Sequence, residues 1–191
     1  LIDLGVHVLD MALWLMGNPH VVSVSASTYA KIGPQGKGNY AGSRFQAVAG
    51  MPYEVEDLAT AFLRTSAGAT IQLESSWAVH SGVTDEFGIT LYGDKGGAEI
   101  RVKDYAEGDT LRIFGEMGGA PTDSAPRLRP KPRHAGHSEV IRRFVDSILT
   151  GVPMSPSGEE GLDRTRLIDA IYRSAELGQE VRLDEPVVAG H

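Results

Sequence analysis

The stretch "EDLATAFLRTSAGATIQLESSW" (Glu56–Trp77) decides the fold class, because it reads as two strands folded back on each other. Ser66-Ala67-Gly68 divides it, a short connection of hairpin composition. In its second half Ile71, Leu73 and Trp77 point one way while Thr70, Gln72 and Glu74 point the other, the period of two that a half-buried strand requires. The same alternation continues downstream. "DEFGITLYG" (85–93) alternates Phe87, Ile89 and Leu91; "DKGG" turns; "AEIRV" (98–102) and "TLRIFG" (110–115) follow as two more strands. Upstream, "HVVSVSASTYA" (20–30) sets Val22, Val24 and Ala26 against Ser23, Ser25 and Ser27. No helix separates the strands after residue 56, so the sheet is expected to be mainly antiparallel.

Helices flank this meander. "LIDLGVHVLDMALWLMG" (1–17) is expected to be helical from Asp3 to Met16 and to close on Gly17, with Pro19 beyond. "SEVIRRFVDSILTG" (138–151) gathers Val140, Ile141, Phe144, Val145, Ile148 and Leu149 on one face. "SGEEGLDRTRLIDAIYRSAELG" (157–178) opens on the capping box Ser157-x-x-Glu160 and ends at Gly178, after which "QEVRL" can return as an edge strand. The fold class is therefore α+β: an open, mainly antiparallel sheet with helices on one face. Residues 33–52 and 116–136 are rich in Pro and Gly and read as connections, the second unusually long. The organisation expected is one domain over residues 1–184 and a C-terminal tail over 185–191.

The whole-chain numbers exclude several function classes. The 191 residues carry a formal net charge of −7, with no run of five like charges, which argues against nucleic acid. The densest basic stretch, Arg127–His134, is broken by prolines and reads as a solvated loop. The absence of cysteine rules out disulfides, thiolate metal sites and a Cys nucleophile, and it fits a reducing cytoplasm. No apolar run approaches the roughly 18 residues a membrane span needs. The chain opens on Leu1 and enters a helix almost at once, so it is expected to be part of something longer.

Chemistry concentrates in the first helix. At 3.6 residues per turn Asp3, His7, Asp10 and Trp14 fall on one stripe, while Val6, Leu9, Leu13 and Met16 cover a neighbouring face. An aspartate four residues before a histidine can accept the imidazole N–H, fix its tautomer and leave the other nitrogen to move a proton. The alternative is a helix start where Asp3 complements the dipole and His7 packs quietly. The apolar remainder of the helix suggests burial, and buried carboxylates are costly unless paired. Metal ligation by Asp3, His7, His134 and His137 is a weaker alternative, because a probable loop lacks the rigid spacing of a zinc motif; no metal ligand is assigned. Gly36-x-Gly38-x-x-Ala41 matches a dinucleotide fingerprint only formally, since no helix reads after it. Trp77, in phase with Ile71 and Leu73, reads as core, yet its place at a strand end also suits substrate stacking.

With these residues in hand, the chain resembles the C-terminal half of the glucose-fructose oxidoreductase / inositol dehydrogenase (Gfo/Idh/MocA) family. Residues 1–17 resemble its Asp-x-Gly-x-His helix. Residues 53–77 resemble its two central strands, and "GITLYGDKGGAEI" (88–100) the hairpin that follows. "HSEVIRRFVDSILTGVP" and "RLIDAIYRSAELGQEVRL" resemble its closing helices. The resemblance implies an N-terminal Rossmann domain that binds NAD or NADP and supplies a lysine from a Glu-Lys-Pro motif. The C-terminal domain would then supply the substrate pocket and much of the oligomer interface. His7 takes the place of the family's catalytic histidine, Asp3 that of its partner, and Asp10 that of the second acid of that helix; Asp10 and Trp77 are the candidate substrate-binding residues. This sequence has neither Glu-Lys-Pro nor a Rossmann half, so the chain alone is expected to be inactive. What the resemblance implies is an oxidoreductase acting on a sugar, polyol or related hydroxy compound, assembled as a homodimer or homotetramer through its sheet; composition adds the expectation of a cytoplasmic protein with no nucleic-acid or membrane partner. Two other readings stand beside it: a non-catalytic binding or assembly module of the same fold, and a metal-dependent hydrolase or isomerase.

Overall fold

In the computed structural model, which describes residues 1–38, 52–82, 85–105, 108, 110–128 and 135–183, the chain opens with α1 (Gly5–Leu15) and β1 (Val21–Tyr29). A 3₁₀ turn (Gly33–Gln35) follows, then β2 (Leu58–Thr65), β3 (Thr70–Ser76), β4 (Glu86–Gly93), β5 (Gly96–Lys103), β6 (Leu111–Met117) and β7 (Ala120–Ser124). The chain closes with α2 (Ala135–Thr150), α3 (Gly158–Leu177) and β8 (Val181–Arg182). All the strand pairs among the described residues are antiparallel, as the lack of helices between the strands predicted. The β2–β3 hairpin turns at Ser66-Ala67-Gly68, where Gly68 sits at φ 87°, a conformation glycine adopts without penalty.

Two details differ from the sequence reading. Among the described residues the single open sheet is two four-stranded sheets, ordered β3-β2-β1-β8 and β4-β5-β6-β7. Alternation identifies consecutive strands but not their partners: the β2–β3 register runs one step past Ser76, with the Trp77 N–H donating to the Asp57 carbonyl (3.2 Å), and among the described residues β4 then pairs with β5 and not with β3. The expected loop 116–136 also holds structure, since β6 and β7 form a hairpin through Gly118 (φ 61°) and Gly119 (φ 80°). Two successive positive φ values are what a type I′ turn demands, and Gly-Gly is its signal. Pro121 masked it, for proline is tolerated only on an edge strand such as β7.

The core lies between the first sheet and two helices. Leu9 and Leu13 of α1, Val24 of β1, Leu63 of β2 and Ile171 of α3 are completely shielded from solvent. They pack with Ala59, Ala61, Ile71, Leu73, Leu167 and Ile168 into one cluster. Burying a side chain of this size stabilises by about 1.5–3 kcal/mol, so this cluster is where the fold is decided. The predicted capping box is present: Ser157 Oγ accepts from the Glu160 N–H and Glu160 Oε1 from the Ser157 N–H, both at 3.3 Å. At the other end of α1, Asn18 N–H donates to Leu13 (2.7 Å) and Gly17 N–H to Trp14 (3.0 Å), the paired bonds of a Schellman close. "QEVRL" does return as an edge strand, β8 pairing with β1 at Ser23 and Val24. By contrast, α2 buries none of its side chains among the described residues. The tail 185–191 lies outside the described residues.

Candidate functional site

Helix α1 is amphipathic rather than buried all round. Gly5, Leu9, Ala12 and Leu13 face the sheet, while Asp3, His7, Asp10 and Trp14 are all exposed. These four residues do share the open side, but the inference that the stripe is buried is corrected: its carboxylates are exposed. The helix also starts at Gly5, which leaves Asp3 in the turn before it. Gly5 explains how the stripe is placed. A Cβ there would come within 2.8 Å of Leu1 Cδ1 and 3.0 Å of Ser75 Cβ, so only glycine lets the first turn of α1 sit against the end of β3.

The four candidates separate in their surroundings. Among the described residues no hydrogen bond or ion pair joins Asp3 to His7, whose imidazole faces outward. Asp10 is engaged elsewhere: its Oδ1 lies 2.9 Å from Arg164 Nε, and Arg164 Nη2 reaches Asn18 Oδ1 at 2.5 Å. Arg164 is largely shielded while Asp10 is half exposed, so the pair ties α1 to α3. Trp77 is half-buried, its indole N–H donates to the Glu56 carbonyl (2.7 Å), and its ring stacks on Tyr53 with centroids 6.3 Å apart.

Trp77 introduces residues the sequence reading did not single out. Glu56 accepts from Tyr172 Oη (3.1 Å), linking β2's approach to α3. Burial first, and then the Glu56 charge, push the Tyr172 phenol up to about 12. Asp57 is 2% exposed, and its Oδ2 accepts the backbone N–H groups of Lys31 (2.6 Å), Ile32 (2.5 Å) and Gly33 (2.9 Å). Three such bonds make a buried carboxylate tolerable and fix the 3₁₀ turn on the start of β2. Tyr53 lies over that turn, so close that a Cβ on Gly33 would fall 2.0 Å from its Oη. Burial, then Asp57 and Glu56, raise the Tyr53 phenol. The signal for this cluster was the acid pair Glu56-Asp57 directly before an apolar strand, a place where a carboxylate must find donors.

The glycines of the formal fingerprint have other work. Gly36 (φ 63°) closes the 3₁₀ turn, and Gly38 (φ 104°) lies where a Cβ would meet Val79 N at 2.9 Å. Ala41 lies outside the described residues. No set of three His, Asp or Glu able to hold a metal occurs among the described residues, and His134 lies outside them. No described helix is long and apolar enough to cross a membrane. A shallow depression of about 850 Å³ lies around the first sheet's other face, lined by Ser25, Ser27, Thr60, Phe62, Gln72 and Glu74 among others; none of the four candidates borders it.

Comparison with known proteins agrees with this architecture. The chain is 28% identical over 183 residues to D-glucoside 3-dehydrogenase of Escherichia coli, covering 96% of this chain and 48% of that protein. It is 29% identical over 185 residues to D-apiose dehydrogenase of Rhizobium rhizogenes, covering 94% and 47%. Among solved structures, aldose-aldose oxidoreductase of Caulobacter crescentus, complexed with glycerol, superposes with a TM-score of 0.64 at 26% identity over 95% of this chain and 46% of its own. Levoglucosan dehydrogenase in complex with NADH shares the fold at a TM-score of 0.73 and 21% identity, over 96% and 50%. The chain thus spans about half the length of the relatives it matches. Residues 1–183 match the oxidoreductase-family C-terminal alpha/beta domain, and the chain belongs to the Gfo/Idh/MocA family.

Proposed function

We propose that this chain is the substrate-binding and proton-transferring half of an NAD(P)-dependent oxidoreductase acting on a sugar, polyol or related hydroxy compound. The observation that carries the reading is His7, an outward imidazole on the open stripe of a helix whose other face is locked into the core. Family membership and the sugar dehydrogenases among the relatives support it. Such a site suits a nicotinamide held by another part of the protein, because Gly36 and Gly38 are committed to a turn and to close packing. When bound, that cofactor would take or return the hydride at the substrate carbon. His7 takes the proton of the substrate hydroxyl as the carbonyl forms and gives it back in reverse, a role suited to an imidazole with a free nitrogen. Asp3 orients the ring once substrate closes over the stripe. Asp10, through its ion pair with Arg164, sets the angle of α1, and Trp77 offers a flat edge for a sugar ring.

The first sheet's other face, with Thr60, Phe62, Gln72 and Glu74, is the proposed contact between copies in a cytoplasmic homodimer or homotetramer. The test is to supply the full-length protein with NAD or NADP and a panel of sugars and polyols. Cofactor binding with substrate-dependent absorbance change at 340 nm is expected; no cofactor binding to the intact protein would remove the proposal. A second reading draws on the separation of Asp3 from His7: a binding or assembly module without chemistry. The coding sequence upstream of Leu1 discriminates, since G-x-G-x-x-G with Glu-Lys-Pro favours the enzyme.

A further inference from the structure

Glu56 and Tyr172 meet between the elements that carry the site. Tyr172 Oη donates to Glu56 Oε2 at 3.1 Å, a bond that joins α3 to the approach of β2. The carbonyl of the same Glu56 accepts the Trp77 indole N–H at 2.7 Å. On its other side Tyr172 borders the turn before α1. It packs against the core cluster that holds Leu1, and the Ile2 backbone N–H acts on the phenol oxygen against the upward push of burial and of the Glu56 charge. This turn is closed by the Val6 N–H on the Leu1 carbonyl (3.0 Å) and by the His7 N–H on the Leu4 carbonyl (3.2 Å), and it carries Asp3. Asp3 is exposed, so its side chain has no packing of its own to hold it. Its place relative to the imidazole is set by the backbone of the turn.

We propose that Tyr172 and Glu56 are positioning residues for the proton transfer assigned to His7: their hydroxyl–carboxylate bond fixes the turn that carries Asp3, and with it the reach of Asp3 to the imidazole. This rests on the functional reading above. The ends of the turn are anchored by packing, Leu1 in the core cluster and Gly5 against Ser75. Tyr172 acts between these anchors, at Ile2, next to Asp3 in the chain. A hydrogen bond to a carboxylate is charge-assisted, shorter and more directional than a neutral one, so it suits a group that must hold a position. Without the phenol oxygen, residues 2–4 lose this polar contact while both ends stay seated. A displacement of about 1 Å in a positioning group can cost on the order of 10²-fold in turnover. A tie that serves only the fold would lower stability and leave the turnover of the folded enzyme unchanged.

The test is a double-mutant cycle in the full-length protein, assayed with the nicotinamide and the sugar or polyol that the panel above selects. Tyr172→Phe should lower kcat by at least about tenfold and leave KM within about threefold. In a His7→Ala background the same change should alter the residual turnover by less than about threefold, while its shift in melting temperature stays the same in both backgrounds. Glu56→Ala should match Tyr172→Phe, and Glu56→Gln, which keeps an oxygen to accept the phenol proton, should recover most of the loss; this pair carries the test if Tyr172→Phe does not fold. Hydrogen exchange gives a readout apart from activity: the Ile2 amide should exchange at least about tenfold faster in Tyr172→Phe, with the α3 amides of Leu167 and Ile168 within about threefold of the parent. Equal kcat in Tyr172→Phe, an equal proportional loss with and without His7, or an unchanged Ile2 amide would overturn the proposal. If the intact protein binds no nicotinamide, or His7→Ala turns over normally, the functional reading fails and takes this inference with it. If His7→Ala is impaired and Tyr172→Phe is not, only this inference fails.

Discussion

Replacing Asp57 by alanine tests the most connected residue of the site. Its Oδ2 accepts three backbone N–H groups at 2.5–2.9 Å, one of them, from Gly33, in a fully buried bond. A hydrogen bond to a charged acceptor nets about 1.5–3 kcal/mol, and a buried donor left unmet costs about 1–3 kcal/mol. The Lys31 and Ile32 amides are only partly buried and can turn to water, so their losses are discounted, and removing the carboxylate returns its own desolvation. The expected total is about 3 kcal/mol, or roughly 6–12 °C in melting temperature for a domain of this size. Asp57→Asn keeps an acceptor and should lose about half as much. Calorimetry or urea melts read the stability directly. Because the 3₁₀ turn seats Tyr53 against Trp77, near-ultraviolet circular dichroism should also change. An Asp57→Ala variant that melts within 2 °C of the parent with an unchanged aromatic signal would show that this carboxylate does not hold the turn.

The proposed function predicts that His7→Ala in the full-length protein lowers turnover by about 10²- to 10⁴-fold while shifting stability by less than about 0.5 kcal/mol, because the ring is exposed; steady-state kinetics beside a thermal melt check both. Arg164→Ala should cost about 1–2 kcal/mol, since it leaves both Asp10 and Asn18 without their shared donor, and equal melting temperatures would refute a structural tie between α1 and α3. The Tyr172 phenol lies at about 12 when folded against an ordinary 10.0, so its contribution is fully present below pH 10 and is lost as pH rises from 10 toward 12. That two-unit difference is at most about 2.7 kcal/mol and, for a group that is only partly buried, on the order of 1 kcal/mol. Tyr172→Phe should flatten that part of the stability–pH curve, and an unchanged alkaline limb would refute the assignment.

Much of the fold was legible because its signals are local. The alternation of Ile71 and Leu73 with Gln72 and Glu74 fixed a strand and its inward face, Ser157-x-x-Glu160 marked a helix start, and Gly17 and Gly178 marked helix ends. The spacing of His7, Asp10 and Trp14 put them on one stripe, since helical periodicity needs no information from the rest of the chain, whereas Asp3 falls in the turn before the helix. Whether that stripe is wet or dry is a different kind of fact. It depends on what packs against α1, and the tertiary structure puts α1's Leu9 and Leu13 into the core and leaves the stripe open. Partnership between strands is likewise non-local: nothing in residues 77–85 says that β4 abandons β3 for a second sheet. The pairing of Asp10 with Arg164 spans 154 positions, and Tyr172 with Glu56 spans 116. Composition and periodicity report which residues share a face of one element, whereas contacts between elements follow from the packing of the core, and it is these contacts that tie Asp10 to Arg164 and leave Asp3, in the turn before the helix, exposed.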